Sequence, residues 1–223
     1  MGKAYAIISK DNTKRKVWRM VFHNEIGEIY RLKVPFDGDV YTSVFLIKNP
    51  NGHILIDCAT TAQDVDEYIQ PALTQTGLSF TDISYLFLTH CHSDHAGGKS
   101  RVLERNPKIK IVDFFGGKIE NGATMYAMKG HTLDCVGLFD PHTGTLVCGD
   151  GLQGYGVGKY RCTLESAEEY QKTIDRIHND KCVQNLLFSH AYEPWYKDGA
   201  FGREEVEKCL QACIEYINKE IKE

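Results

Sequence analysis

Residues 89–98 read Thr-His-Cys-His-Ser-Asp-His-Ala-Gly-Gly and directly follow an apolar run at 85–88. Three histidines and one aspartate therefore fall within the six residues 90–95. Packing does not require this density of polar side chains, because buried imidazoles and carboxylates without partners are costly. Imidazole nitrogens and carboxylate oxygens together suit zinc, iron or another borderline divalent metal. The stretch thus predicts a metal site at the end of a strand rather than a solvated polar loop.

The spacing within this stretch predicts how its side chains are directed. In an extended strand, side chains two residues apart point to the same side. We therefore expect His90 and His92 to share one side, with Asp94 and His95 following on the turn. Cys91, which lies between the two histidines, is expected to point into the sheet packing rather than to act as a further ligand.

Short apolar stretches that end in a polar residue recur along the chain. They end at Asp57, His90, Asp150 and His190. Strand ends of this kind can meet at one edge of packed sheets, where sites are held on a rigid frame. His131 is a fifth candidate, since the preceding glycine allows a tight turn after a strand. Any one of these residues alone would more often be an ordinary turn residue or hydrogen-bonded histidine.

The residue pattern of the first half predicts an antiparallel, strand-rich region followed by helices. Expected strands cover 5–9, 17–23, 28–34, 41–47, 53–56 and 83–88, and expected helical stretches cover 62–76 and the residues after Gly98, ending near 106. Asn51-Gly52 is a strong hairpin signal between two of these strands. Pro71 is expected to interrupt or kink the first helical stretch.

The second half repeats this arrangement. Expected strands cover 109–113, 124–128, 136–139, 145–148 and 185–189. Ser166 and Glu169 form a capping-box signature at the start of a helix, and an apolar stripe over 206–221 predicts a C-terminal helix. No change in composition marks a linker, so we expect one domain covering residues 1–223.

Composition argues against a nucleic-acid-binding function. The chain has 223 residues, of which 42% are hydrophobic and 25% charged, which is ordinary for a soluble globular protein. Its net charge of −4 argues against a nucleic-acid partner, whose binding rests on clustered Lys and Arg. The one short basic cluster, at residues 10–19, is expected to be a solvated hairpin. The sequence gives no indication of oligomeric state.

The chain is also expected to be a cytoplasmic protein without a membrane partner. No run of eighteen apolar residues occurs, so we expect no membrane-spanning helix. The first ten residues lack the long apolar segment of a signal peptide. In the cytoplasm, the eight cysteines are expected to be reduced.

Taken together, these motifs resemble those of the metallo-β-lactamase fold superfamily, over about residues 39–190. Asp57, the run His90-x-His92-x-Asp94-His95, His131, Asp150 and His190 occur in the order of the family's five motifs. The resemblance implies an α/β protein with a four-layer αββα sandwich, in which two mixed sheets lie inside and helices outside. It also implies a two-metal site at one edge of the sheets.

The resemblance further implies a role for each ligand. His90, His92 and His131 would bind the first ion, Asp94, His95 and His190 the second, and Asp150 would bridge them. Two zinc ions per chain are the default, although iron and manganese tolerate the same ligands. Asp57 would orient a ligand from behind, or it would instead cap backbone amides at a strand end.

Two divalent ions about 3.5–4 Å apart can hold a hydroxide between them at neutral pH, and that hydroxide can attack a carbonyl carbon. Asp94 can orient this nucleophile and accept its proton, which makes it the candidate catalytic residue. We therefore expect a hydrolase acting on a small ester, lactone or thioester. Candidate substrate contacts lie on the loop after Asp150 and beyond His190, and ordinary packing roles are equally compatible with them: Tyr155, Tyr160 and Tyr192.

Departures from the common family pattern leave alternatives open. Thr132-Leu133-Asp134-Cys135 replaces the usual Thr-Pro-Gly-Ser after His131, so that loop is expected to differ in shape and Asp134 adds a carboxylate nearby. Glutathione thioesterases of the glyoxalase II type gather basic residues on a C-terminal extension, and this chain is shorter there. An iron-dependent persulfide dioxygenase is the main alternative. An RNA-processing nuclease resembling ribonuclease Z is disfavoured by the acidic charge.

Overall fold

The first of two β-sheets contains six strands in chain order. The computed structural model describes residues 19–37, 40–154, 163–191 and 197–220. The strands are β1 (His23–Ile26), β2 (Ile29–Asp37), β3 (Val40–Ile47), β4 (His53–Ile56), β5 (Ile83–Phe87) and β6 (Lys110–Val112). Strands β1 to β4 pair antiparallel, whereas β4, β5 and β6 are parallel, so the sheet is mixed.

The second sheet contains five strands in the order β11-β10-β9-β8-β7. Its strands are β7 (Thr124–Ala127), β8 (Val136–Asp140), β9 (Thr145–Val147), β10 (Asn185–Leu187) and β11 (Gly199–Phe201). Among the described strands of this sheet, β9 and β10 form the one parallel pair. The carboxyl ends of β9 and β10 therefore lie at the same edge of this sheet.

Helices cover the outer face of each sheet. On the first sheet lie α1 (Ala62–Asp64), a π-helical turn (Val65–Ile69), α2 (Gln70–Gln75), a 3-10 turn (Phe80–Asp82), α3 (Ser93–Ala96) and α4 (Lys99–Arg105). On the second lie α5 (Ala167–Asn179) and α6 (Arg203–Glu220). Within the described ranges, no helix combines the length and the apolar run needed to cross a membrane.

Alternation along the strands divides the core into three layers. Ile54 and Ile56 pack between the two sheets, where they join Val147 and Leu187 from the second sheet. Leu55, which points the other way, packs with the helices of the first sheet. A third cluster lies between the second sheet and helices α5 and α6. These layers confirm the αββα sandwich expected from the sequence.

Most predicted elements are confirmed, with several corrections. The hairpin at Asn51-Gly52 joins β3 and β4, and the helical stretch near Pro71 contains the π-helical turn just before that proline. The strand expected over 17–23 is wrong for residues 19–22, which have no strand pairing, and the strand expected over 5–9 lies outside the described residues. Strand β11 and helix α3 escaped prediction because three or four residues are too short to show a period.

Candidate metal centre

Five segments meet at one edge of the sandwich. They are the ends of β4 and β5 from the first sheet, the ends of β9 and β10 from the second, and the turn after β7. Two clusters of side chains result, and within each cluster the ligand atoms all lie within 4.8 Å of one another. The three-histidine group is His90, His92 and His131, and the mixed group is Asp94, His95, Asp150 and His190. Every metal ligand expected from the sequence therefore lies in one of the two groups.

The imidazoles of the three-histidine group face one another. His131 Nε2 lies 3.1 Å from His92 Nδ1, and the ring centroid of His90 lies 4.6 Å from that of His92. His131 Nδ1 donates to the carbonyl of Thr163 at 2.7 Å, which leaves Nε2 free of its proton on the side facing the group. His92 is the exposed member, whereas His90 and His131 are buried.

Burial keeps two of these imidazoles neutral. Loss of hydration, with the nearby His95 charge, lowers the pKa of His90 to about 2, and burial also lowers the pKa of His131. Among the described residues, His90 Nε2 is buried and has no hydrogen-bond partner. A neutral imidazole nitrogen that is buried without a partner fits a metal ligand.

The mixed group combines two histidines with two carboxylates. His95 Nε2 and His190 Nε2 lie 3.3 Å apart, and Asp94 Oδ2 lies 3.3 Å and 3.2 Å from them, respectively. Behind the group, His190 Nδ1 donates to the carbonyl of Tyr41 at 2.6 Å. On the other side, His95 Nδ1 donates to Asp57 Oδ2 at 2.8 Å. Both Nε2 atoms are thereby directed toward the carboxylates.

Charge differs sharply between the two groups. Burial lowers the pKa of His95, but the carboxylates of Asp150 and Asp57 outweigh it and raise that pKa well above its usual value. The pKa of His190 is raised in the same way, chiefly by Asp150 against the opposing effect of burial. Before a metal binds, these two imidazoles therefore carry protons that a metal ion would displace.

Asp150 faces both groups at once. Its Oδ1 lies 3.3 Å from His190 Nε2 and 3.5 Å from His95 Nε2, while its Oδ2 lies 3.7 Å from His131 Nε2. Burial opposes ionisation, but the charges of His190 and His95 hold the pKa of Asp150 well below its usual value. Within the described residues, its Oδ1 is buried without a hydrogen bond. Nitrogen and oxygen donors in this arrangement fit two divalent ions.

Asp57 makes both kinds of contact considered from the sequence. It follows β4 with a φ of 61°, a left-handed conformation that aspartate tolerates better than most residues. Its carboxylate accepts from the backbone amide and the hydroxyl of Thr89, each at 2.8 Å, as well as from His95. Asp57 therefore caps the end of β5 and also fixes the orientation of the His95 ring.

A glycine brings Asp150 against the first sheet. Gly149 has a φ of 56°, and a Cβ atom built there would lie 2.5 Å from the Cβ of Thr89. Only glycine avoids both the strained backbone and this overlap. The end of β9 can therefore approach the end of β5 closely enough for Asp150 to reach histidines from both sheets.

Comparison with known proteins agrees with this geometry. Residues 37–113 match the model of the metallo-beta-lactamase superfamily. A solved structure of a metallo beta lactamase from Erythrobacter litoralis superposes with a TM-score of 0.67 at 16% identity, covering 87% of this chain and 96% of that one. The chain has the metallo-β-lactamase fold.

The chain is also similar in sequence to two hydroxyacylglutathione hydrolases. The protein from Synechococcus sp. (strain JA-2-3B'a(2-13)) is 26% identical over 72% of this chain and 67% of its own length. The protein from Chromohalobacter salexigens is 29% identical over 60% of this chain and 59% of its own length. The chain thus spans about three fifths to two thirds of the length of these relatives.

The loop after His131 contains a carboxylate, Asp134, that makes two side-chain contacts. Asp134 accepts a hydrogen bond from Thr132 Oγ1 at 2.6 Å and another from the thiol of Cys91. Asp134 belongs to neither ligand group. The expectation that Cys91 points into the sheet packing is wrong, since this residue is exposed. Strand β5 ends at Phe87, so the alternation of a strand no longer applies at Cys91.

Several contacts that orient the histidines of the two groups were not predicted. Backbone carbonyls of Tyr41 and Thr163 accept from His190 and His131, and such partners leave no mark in a sequence because every residue has a carbonyl. Thr89 had a signal, as a polar residue between a buried strand and the first histidine. The candidate substrate contacts Tyr155, Tyr160 and Tyr192 lie outside the described residues, as do residues 10–18 of the basic cluster.

Proposed function

We propose that this metallo-β-lactamase-fold chain is a metal-dependent hydrolase that uses two zinc ions to cleave a small ester, lactone or thioester. The observation that carries the proposal is the pair of convergent ligand groups with Asp150 facing both. A polar cluster of this kind at a buried sheet edge would be destabilising without ions to bind it. Two ions of charge +2 would also offset the negative charge of the carboxylates gathered there.

The proposal gives each ligand residue a place. His90, His92 and His131 would hold one ion, Asp94, His95 and His190 would hold the other, and Asp150 would contribute to both. When bound, two such ions supply a water of lowered pKa as nucleophile and polarise the carbonyl that it attacks. The exposed side of His92 is the proposed approach for substrate, because His90, His95 and His190 are buried.

Asp94 is the proposed catalytic carboxylate. Burial opposes its ionisation, but contacts with His190 and His95 hold its pKa well below the usual value. It is therefore ionised at neutral pH and can accept a hydrogen bond from the attacking water. Its Oδ2 is oriented by the two histidines, which leaves the other carboxylate oxygen to orient the nucleophile and take its proton.

The thioester branch of the proposal has support from the two hydroxyacylglutathione hydrolases, whose name describes a thioester substrate. This chain covers only part of their length, so the glutathione portion of that substrate is not carried over. We propose an acyl compound of low molecular weight, with a thioester first among the three classes.

The test begins with metal analysis of the purified chain, followed by a panel of acyl substrates on the zinc-loaded protein. The panel contains a hydroxyacyl-glutathione, a simpler thioester, a lactone and an aryl ester, and His92→Ala is the control. We expect two zinc equivalents and cleavage that the control loses. Two equivalents with no cleavage of any class would contradict the hydrolase. If the purified chain contains iron and consumes oxygen with glutathione persulfide, the hydrolase proposal would give way to the persulfide dioxygenase.

A further inference from the structure

Arg31 is a charged side chain buried between the two sheets, close to the mixed group. It lies on β2 with a relative exposure of 1%, and its guanidinium reaches across to the second sheet. Nη1 donates to the carbonyl of Phe188 at 2.9 Å, and Nη2 donates to the carbonyl of Asp198 at 2.8 Å. These two carbonyls belong to the segment after β10 and to the segment that enters β11. Burying a guanidinium is costly, and an ion pair of Arg31 Nε with Glu25 Oε1 at 2.9 Å offsets part of that cost.

Arg31 and its neighbour Ser43 contact carbonyls two residues and one residue before the metal ligand His190. Phe188 is two residues before it, and the carbonyl of the intervening Ser189 accepts from Ser43 Oγ at 2.8 Å. Ser43 Oγ also accepts from Arg31 Nη1 at 3.3 Å. The backbone leading to His190 is therefore held at consecutive carbonyls by one arginine and one serine of the first sheet.

A second set of contacts connects Asp198, just before β11, to β2 and β3. The Asp198 carboxylate binds Lys33 Nζ at 2.5 Å and accepts from the Tyr41 hydroxyl, and Arg31 Nη1 lies 3.6 Å from its Oδ1. Tyr41 is also the residue whose carbonyl accepts from His190 Nδ1. Both the backbone before His190 and the acceptor behind its ring are thus connected to the guanidinium of Arg31.

We propose that Arg31 is a positioning residue for His190, and that it sets the affinity of the mixed group for its metal ion without affecting the three-histidine group. The proposal rests on the two-metal centre proposed above. The guanidinium acts through backbone carbonyls and touches neither substrate nor metal. Its planar fork holds two carbonyls in fixed relative positions, which a lysine ammonium, as a single point charge, cannot reproduce. The three-histidine group takes its support elsewhere, from Thr163.

The experiment measures the two stepwise zinc affinities by competition with a chromophoric chelator, in the wild-type chain and in Arg31→Lys. His190→Ala identifies which step belongs to the mixed group. We expect Arg31→Lys to weaken that step by about 10–100-fold, the usual effect of losing a partner that orients a ligand. The other step is expected to stay within about twofold of wild type. A weaker version of the same effect is expected in Ser43→Ala, which removes the bond to the Ser189 carbonyl and the bond from Arg31 Nη1 but leaves the arginine in place.

Arg203 provides a matched control far from the metal centre. Its guanidinium also bridges backbone carbonyls, donating to those of Ile177 and Val183 at 3.1 Å and 2.9 Å. Arg203→Lys therefore removes a comparable clamp from the junction of α5 and α6. We expect it to lower thermal stability while leaving both zinc affinities unchanged. If Arg203→Lys and Arg31→Lys weaken the mixed group equally, the effect is general destabilisation and the inference is overturned.

A metal-free readout separates this inference from the proposed function. In the NMR spectrum of the metal-free chain, the hydrogen-bonded Nδ1 proton of His190 is identified by its loss in His190→Ala. We expect it in wild type and Arg203→Lys, and expect it to be lost or broadened in Arg31→Lys. An unchanged signal and an unchanged zinc affinity in Arg31→Lys overturn the inference. Binding of fewer than two zinc ions by wild type overturns the two-metal proposal, and the proton signal still decides the role of Arg31.

Discussion

The three-histidine group and the mixed group share one edge of the sandwich but are held in different ways. The three-histidine group has one exposed member, His92, and its His131 is oriented by a neutral backbone carbonyl. The mixed group is buried around two histidines, and one of them is oriented by the Asp57 carboxylate. One group thus contains two buried neutral imidazoles and has an open side, while the other is charged and enclosed.

This difference assigns different tasks to the two groups. A partly exposed ligand set leaves room on its open side for a substrate, which is the arrangement that a catalytic metal requires. An enclosed set with carboxylates gains more from a divalent cation, because unpaired buried charges are costly. The mixed group is therefore expected to depend more strongly on protons and on the residues behind it. The predictions below test this contrast, from the largest effect to the smallest.

Asp150→Ala is expected to have the largest effect, because this carboxylate faces both groups. Loss of a residue that only orients a ligand costs about 10–100-fold in metal affinity or activity, so loss of a direct ligand is expected to reach at least the upper end of that range. Hydrolytic activity should fall by about 100-fold or more, and both zinc affinities should weaken. Steady-state kinetics and zinc competition measure the two effects.

Asp140→Asn is the matched control for that prediction. Asp140 is also a buried aspartate, accepting from Thr143 Oγ1 at 2.7 Å, but it is the last residue of β8 and lies at the turn of the β8–β9 hairpin, whereas Asp150 follows the other end of β9. We expect both zinc affinities to match wild type. Retention of two tight zinc sites in Asp150→Ala would contradict a shared ligand and would leave two independent groups.

Asp57→Asn is expected to affect the mixed group alone. Asparagine tolerates the left-handed backbone at this position and its oxygen can still accept from the Thr89 amide, so the strand end should stay capped. What is lost is the negative charge beside His95. We expect the zinc affinity of the mixed group to fall by about 10–100-fold. Equal weakening of both groups would show that Asp57 acts on the fold of the strand end instead.

The sequence predicted which side chains come together in the two groups because their signal is local. His90, His92, Asp94 and His95 lie within six residues, and the other ligands follow apolar stretches that are recognisable as strands. The αββα layers followed from the resemblance that these motifs carry. Boundaries shifted by one or two residues where strands end in polar turns, as at Phe87.

The contacts that orient the side chains of the two groups could largely not be predicted from the sequence. Arg31 reads as an ordinary charged residue of a strand, and only the packing of the two sheets reveals that it reaches the carbonyl of Phe188, 157 residues away. The exposure of Cys91 depends on the end of β5, which periodicity locates only approximately. Long-range contacts of backbone atoms leave no pattern that a sequence can show.

Metal uptake by the mixed group is expected to depend on pH. The pKa values of His95 and His190 are raised in the metal-free protein, so these imidazoles hold protons at neutral pH that zinc must displace. Affinity should therefore rise with pH, by about tenfold per pH unit for each proton released, and level off above those pKa values. His90 and His131 have lowered pKa values and add no such dependence at neutral pH. Zinc competition between pH 6 and 8 measures the slope for each group, and equal slopes would contradict the contrast.

Gly130→Ala is expected to have the smallest effect on metal binding, and it should act on the three-histidine group. Gly130 precedes His131 with a φ of 143°, and a Cβ atom built there would lie 2.5 Å from the Cβ of Tyr170. Gly122→Ala is the control, since Gly122 has a φ of 99° but nothing within 4 Å of such an atom. Backbone strain alone should cost Gly122→Ala about 1–3 kcal/mol of stability.

The overlap with Tyr170 should cost Gly130→Ala about 1–3 kcal/mol beyond that strain. The overlap pushes the backbone beside His131, so the zinc affinity of the three-histidine group should weaken. Losing a partner that orients a ligand costs at least about tenfold in metal affinity, and we expect a smaller loss here. Chemical denaturation and zinc competition on both variants separate the two costs. If Gly130→Ala instead weakens the mixed group, the two groups are mechanically coupled through the His131 turn, and their independent support would have to be abandoned.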